Sequence, residues 1–206
     1  MNNPCKLCQK QRAKRWCPSV RSDICPACCG KERETTLTCP LECEYLQEAR
    51  RRERPVLIDK DEFPNPDIRL TDEFVSRQEH LVVWLSLALA RAIEAGQAMD
   101  RDDREGLEAL IRTYRTRESG LIYETRPQNP YAARIQESLK ESIEDFSKRL
   151  AEAQGMHTLR DADVLGVLVL FQRLGLQHNN GRPRGRSFLQ FLKEMFPVRP
   201  AEGAIA

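Results

Sequence analysis

Residues 5–43 read CKLCQKQRAKRWCPSVRSDICPACCGKERETTLTCPLEC, and this stretch holds all eight cysteines of the 206-residue chain. In chain order they are Cys5, Cys8, Cys17, Cys25, Cys28, Cys29, Cys39 and Cys43. The stretch has few large apolar side chains, and a segment below about 40 residues normally needs metal ions or disulfides to hold a shape. We therefore predict that the cysteines hold the fold of this segment together, through metal ions or disulfides.

The spacing of the cysteines favours zinc. Zn²⁺ prefers tetrahedral thiolate coordination, and a Cys-x2-Cys turn presents two sulfurs to one ion, so eight thiolates predict two closed sites and two Zn²⁺ ions. The pairs Cys5/Cys8 and Cys25/Cys28 are expected to share one ion, which leaves the other four cysteines for the second. Adjacent Cys28 and Cys29 are expected in an extended segment, where they point to opposite sides and can serve different ions.

In this assignment the ligands of the two sites alternate along the chain. The pair Cys5/Cys8 of the first site is followed by Cys17 of the second site and then by the pair Cys25/Cys28 of the first site. In this respect residues 5–43 resemble the B-box and MYND-type families of small two-zinc modules. Those families usually carry His or Asp among the late ligands, whereas here every candidate ligand is Cys. The resemblance implies a module that contacts other proteins.

Two other uses of the cysteines compete with zinc. Iron–sulfur clusters also take four thiolates. Disulfides need oxidising conditions, and a redox Cys-x2-Cys motif is expected beside a strand–helix unit. The chain opens without the apolar segment of a secretory signal, which favours a reducing cytoplasm. No apolar run approaches the ~20 residues that span a bilayer, so no membrane association is expected.

The rest of the chain predicts helices. Charged residues make up 31% and aromatic residues 6%, as in soluble helical proteins. Residues 81–93 are apolar almost all round, and a later stripe recurs at helical spacing at Ile135, Leu139, Ile143, Phe146 and Leu150. The predicted fold class is mainly α: a small Cys-rich zinc module followed by an all-helical bundle of about five helices.

Composition also divides the chain. We predict a zinc module with a short basic helix over residues 1–54, a Pro-rich linker over 55–70, the bundle over 71–197 and a flexible tail over 198–206. The net charge is +5 over residues 1–54 and +2 for the whole chain. Because each zinc with four thiolates contributes −2, two ions lower the charge of the module to about +1. Overall charge is therefore a weak argument for nucleic acid.

One basic stretch is a candidate nucleic-acid site. Residues 179–186 read NNGRPRGR, which resembles the Arg-Gly-Arg-Pro core of AT-hooks, although Ser187 stands where the hook continues with Pro. Arg182, Arg184 and Arg186 are the candidate contacts to the nucleic acid. The competing interpretations are a solvated turn that connects two helices and a basic turn that binds phosphate.

No catalytic constellation is visible. His80, His157 and His178 have no partner at metal-ligand or triad spacing, and no Glu-x-x-His pair of a helical di-metal site occurs. Closed all-Cys sites leave no open coordination position for catalysis. The sequence thus predicts a zinc-binding, non-enzymatic interaction or adaptor protein whose partner is another protein. The alternative is a nucleic-acid-binding regulator that uses the zinc module and the Arg182–Arg186 turn.

Overall fold

The computed structural model describes residues 3–54, 57–59, 62–121, 123–154 and 159–197. These residues form eight helices and one two-stranded sheet, so the predicted mainly α class is confirmed. The predicted number of about five helices is wrong. The predicted tail over 198–206 lies outside the described residues.

The N-terminal module is built on a small hairpin. Strands β1 (Arg15–Cys17) and β2 (Ser22–Ile24) pair antiparallel, with Arg15 opposite Ile24 and Cys17 opposite Ser22. The turn between them places Arg21 in the left-handed region, with φ 49°. Ile24 is fully buried among the cysteines.

Helix α1 (Pro26–Glu32) follows the hairpin at once. The Cys25 Sγ caps it by accepting from the Cys28 N–H at 3.4 Å, and Pro26 takes the first position, where a missing N–H costs nothing. Cys28 and Cys29 therefore lie on a helix and not in an extended segment. They still diverge, because successive helical residues are about 100° apart. A second short helix, α2 (Glu44–Arg50), begins after Cys43.

The remaining six helices lie between residues 72 and 195. They are α3 (Asp72–Arg77), α4 (Glu79–Gly96), α5 (Asp100–Glu118), α6 (Pro130–Gln154), α7 (Asp161–Gln177) and α8 (Ser187–Met195). The first helical stretch of the predicted bundle, which begins at residue 71, is interrupted at Gln78, where φ is −99° and ψ is 16°. The sequence predicted about five bundle helices and one short basic helix in the module, so this break and the undetected α1 account for the other two of the eight.

The bundle core is set by which helices meet. Helix α6 packs on α4 and α5, α7 packs on α5, and α8 lies against α4. The predicted stripe of α6 is buried at Ile135, Leu139 and Ile143, while Phe146 packs at the margin. Helix α7 buries every residue from Asp163 to Val169. This agrees with its sequence, since a helix that is apolar on nearly all sides packs inside the protein.

Residues 64–68 of the predicted linker pack on the bundle. The Arg173 guanidinium donates to the backbone carbonyls of Pro64, Asn65 and Ile68. Asp67 accepts two hydrogen bonds from Arg115, at 2.8 and 2.9 Å, and these lower the pKa of the carboxyl. Among the described helices, none has both the length and the hydropathy needed to cross a membrane.

Candidate metal centre

Four cysteines converge at one end of the module. The Sγ atoms of Cys5, Cys8, Cys25 and Cys28 all lie within 4.8 Å of one another, and the Cys8–Cys25 pair is separated by 3.9 Å. A tetrahedral Zn²⁺ with Zn–S bonds of about 2.3 Å requires sulfurs about 3.8 Å apart. The structure thus brings together the four cysteines that the sequence assigned to the first site, in a geometry that fits one metal ion.

Local backbone structure positions these sulfurs. Cys5 and Cys8 flank a turn in which the Gln9 N–H donates to the Cys5 carbonyl at 2.8 Å. Cys25 follows β2 and Cys28 lies in the first turn of α1, so the hairpin and the helix supply the second pair. The Lys6 N–H donates to the Asp23 carbonyl at 3.1 Å and ties the two pairs together.

Hydrogen bonds within the cluster favour thiolate at Cys5 and Cys8 and thiol at Cys28. Burial alone raises the pKa of Cys5, but backbone N–H donors at Cys8, Cys25 and Leu7 outweigh it and lower that pKa to about 6. The hydrogen bond with Cys25, aided by burial, raises the pKa of Cys28 to about 12. Backbone N–H donors lower the pKa of Cys8 as well, so negative charge is favoured on the Cys5/Cys8 pair while Cys28 keeps its proton. A cation would take the place of that proton and make all four sulfurs ligands.

The other four cysteines are grouped less tightly. Cys17, Cys29, Cys39 and Cys43 line one small cavity of about 10 Å³ beside Ile24 and Leu46. Among the described residues, only the first four cysteines meet the 4.8 Å spacing. The three buried members of the second set are Cys17, Cys29 and Cys39. The structure therefore shows a common location for the second set and a ligand-like geometry for the first set alone.

The basic turn contacts the module. Arg182 donates to the Arg33 carbonyl, and Arg184 Nη1 donates to Thr38 Oγ1 at 2.8 Å. The backbone N–H groups of Arg184 and Arg186 donate to the Glu34 carbonyl and carboxylate, at 2.8 and 3.2 Å. Two of the three candidate guanidinium groups thus hold the turn on the loop before Cys39. The nucleic-acid role predicted for these arginines stays a prediction.

This contact depends on Glu34 as its acceptor, a residue that no sequence pattern singles out. Its carboxylate is 1% exposed, forms an ion pair with Arg50 and accepts from Asn180 Nδ2 at 2.8 Å. Arg50 also donates to Gln190 of α8. A single acidic residue in a polar loop carries no sequence signal for such a role.

Comparison with known proteins adds no relative. No protein-family model, no curated protein and no solved structure matches this chain. The resemblance of residues 5–43 to B-box and MYND-type modules therefore rests on ligand order and spacing alone.

Proposed function

We propose that this chain is a zinc-binding, non-enzymatic interaction protein whose module holds two Zn²⁺ ions. Cys5, Cys8, Cys25 and Cys28 hold the first ion, and Cys17, Cys29, Cys39 and Cys43 hold the second. The observation that carries the proposal is the cluster of four thiols within 4.8 Å.

The size of that cluster supports a single ion. An iron–sulfur cluster puts several atoms between its cysteine sulfurs, whereas sulfurs this close leave room for one metal atom. Four thiolates also complete the tetrahedron of Zn²⁺, so neither site keeps a position for water or substrate. Both features favour one structural metal ion over a catalytic centre or a multi-iron cluster.

The second site is supported by the shared cavity. Its four cysteines surround one small space, and a cation would draw their sulfurs inward. Cys29 and Cys39 bracket the loop that carries Glu34, so an ion there would fix the surface on which the basic turn rests.

A protein partner is supported by an exposed aromatic side chain on the module. Trp16 lies on β1 and is 57% exposed. Tryptophan is enriched at protein–protein interfaces, where it contributes a large share of the binding energy. This surface is consistent with the interaction role implied by the B-box and MYND-type resemblance, in a reducing cytoplasm that keeps thiols available for metal.

The test is metal content by elemental mass spectrometry on protein purified without added metal, with thiol titration before and after chelation. We expect two zinc ions per chain and thiols that react only after chelation. One zinc per chain would remove the second site, and iron with a visible chromophore would overturn the assignment. The interaction role predicts that Trp16→Ala keeps the zinc content but loses a partner captured by the wild-type protein.

A further inference from the structure

A wide groove lies between the module and the end of the bundle, and its lining includes the hydrogen-bonded pair Arg50 and Gln190. It lies between α2 on one side and the C-terminal part of α7 with α8 on the other. Its volume is about 1000 Å³, at the upper end of the range of ligand sites. No part of the proposed zinc chemistry uses it.

Aromatic rings form a near-parallel series that ends at this groove. Phe188 and Phe191 have ring centroids 6.3 Å apart at 14°, and Phe191 and His178 are 3.7 Å apart at 20°. Phe188 is fully buried, whereas Phe191 and His178 are half-buried and line the groove. Burial lowers the pKa of His178, which favours the neutral form of its ring. A further planar ring could extend this stack from the groove side.

The opposite wall carries cations. Arg50, Arg51 and Arg54 face the groove from the end of α2, and Glu53 and Glu194 are the acidic residues in the lining. The Arg50 side chain is 7% exposed and already forms an ion pair with Glu34. Arg51 is 75% exposed and lies 3.6 Å from its nearest carboxylate, on Glu48. Arg51 and Arg54 are therefore the groups available to meet phosphates.

Buried polar atoms beside the groove lack partners. Arg50 and Ser187 both line the groove. Their Nε and Oγ atoms are buried and make no hydrogen bond to the described residues. Unsatisfied buried groups are uncommon in native proteins and often mark an additional ligand or water. The N-terminus of α8 is not itself the anion site, because Asp100 already accepts from the Ser187 and Phe188 N–H groups.

We propose that this groove binds single-stranded nucleic acid, with a base stacked on His178 and the phosphate backbone along Arg51 and Arg54. Aromatic platforms combined with a cationic wall are the means by which proteins bind single strands without sequence preference. An acidic peptide would use the arginines but not the rings, and a duplex would keep its bases stacked and out of reach. The proposal goes beyond the zinc-stabilised interaction role. Of the three arginines in the Arg182–Arg186 turn only Arg182 lines this groove, and its guanidinium already donates to the Arg33 carbonyl.

The test is fluorescence anisotropy with a labelled oligo-dT strand and the full-length, zinc-loaded protein. His178→Ala should weaken binding by about 5- to 150-fold, since stacking contributes about 1–3 kcal/mol per base. His178→Phe should retain binding, because it keeps a stacking ring. Arg51→Gln should weaken binding and reduce the log–log salt slope by about 0.7, the value for one phosphate contact on a single strand.

Arg52→Gln is the matched control. Arg52 lies beside Arg51, is similarly exposed and pairs with Glu48, but it does not line this groove. It should leave affinity nearly unchanged. Equal losses in the Arg51 and Arg52 variants, equal affinity for duplex and single strand, or no binding at low salt would each overturn the proposal. Equal losses in His178→Phe and His178→Ala would overturn the stacking assignment. The zinc assignment would stand in all of these cases, since it is measured by metal content.

Discussion

At the scale of single residues, Glu34 joins the two parts of the molecule. Its φ of 50° lies in the left-handed region, which is unfavourable for a residue with a side chain. Surrounding contacts must therefore hold it. Its carboxylate meets the Arg50 guanidinium and the Arg186 N–H, and its carbonyl accepts from Arg184. One residue thus satisfies donors from α2 and from the basic turn.

We expect Glu34→Ala to destabilise the zinc-loaded protein by about 3–5 kcal/mol, because removing one partner leaves the buried Arg50 charge uncompensated. Denaturant unfolding followed by circular dichroism measures this loss. The double variant with Arg50→Met should recover much of the stability, since no buried charge then remains. A loss below about 1 kcal/mol, the typical value for an exposed pair, would show that the pair is solvated.

At the scale of elements, glycines set how closely α7 is approached by its neighbours. A Cβ at Gly166 would lie 2.4 Å from Phe74 Cζ, so α3 can rest on α7 only where no side chain intervenes. Gly175 lies on the same helix, where a Cβ would be 3.5 Å from the Phe188 ring, an ordinary contact. The two positions therefore differ in packing while sharing the same helical backbone.

This difference predicts opposite effects for the same substitution. Gly166→Ala should cost about 1–3 kcal/mol through overpacking against Phe74. Gly175→Ala should stabilise by up to about 1 kcal/mol, because alanine is the better helix former and meets no clash. Thermal unfolding of both variants beside the wild type makes the comparison. Stabilisation by Gly166→Ala would mean that the Phe74 ring moves aside at little cost.

At the scale of the whole molecule, metal binding and the contact between module and bundle are expected to be coupled. The loop that carries Glu34 and Thr38 runs between Cys29 and Cys39, two proposed ligands of the second ion. The basic turn rests on that loop through backbone and side-chain hydrogen bonds. A module too small to fold on apolar burial should lose this surface when its metal is removed.

Chelation should therefore speed amide hydrogen exchange in peptides that cover residues 181–187, whose Arg184 and Arg186 N–H groups would lose their acceptors on Glu34. Peptides from α6, which packs inside the bundle, should keep their protection. Hydrogen-exchange mass spectrometry before and after chelation gives both readings. Unchanged protection over 181–187 would show that the contact does not depend on metal.

Sequence patterns predicted the features that depend on near neighbours. The helical stripe at Ile135, Leu139 and Ile143 repeats within one element, so its burial follows from periodicity. Helix α1 was missed because a seven-residue helix is too short for a periodic signal, and its start depends on the Cys25 cap. The break at Gln78 was missed because neither Gly nor Pro marks it.

The sequence by itself determined the mainly helical class, the confinement of the cysteines to residues 5–43 and the pairing of two Cys-x2-Cys turns. Only the tertiary structure decided that Glu34 lies against the basic turn and that His178 and Arg51 line one groove. Spacing and periodicity describe residues that are close along the chain. Contacts between residues about 150 positions apart, such as Glu34 and Arg186, depend on how every intervening element packs.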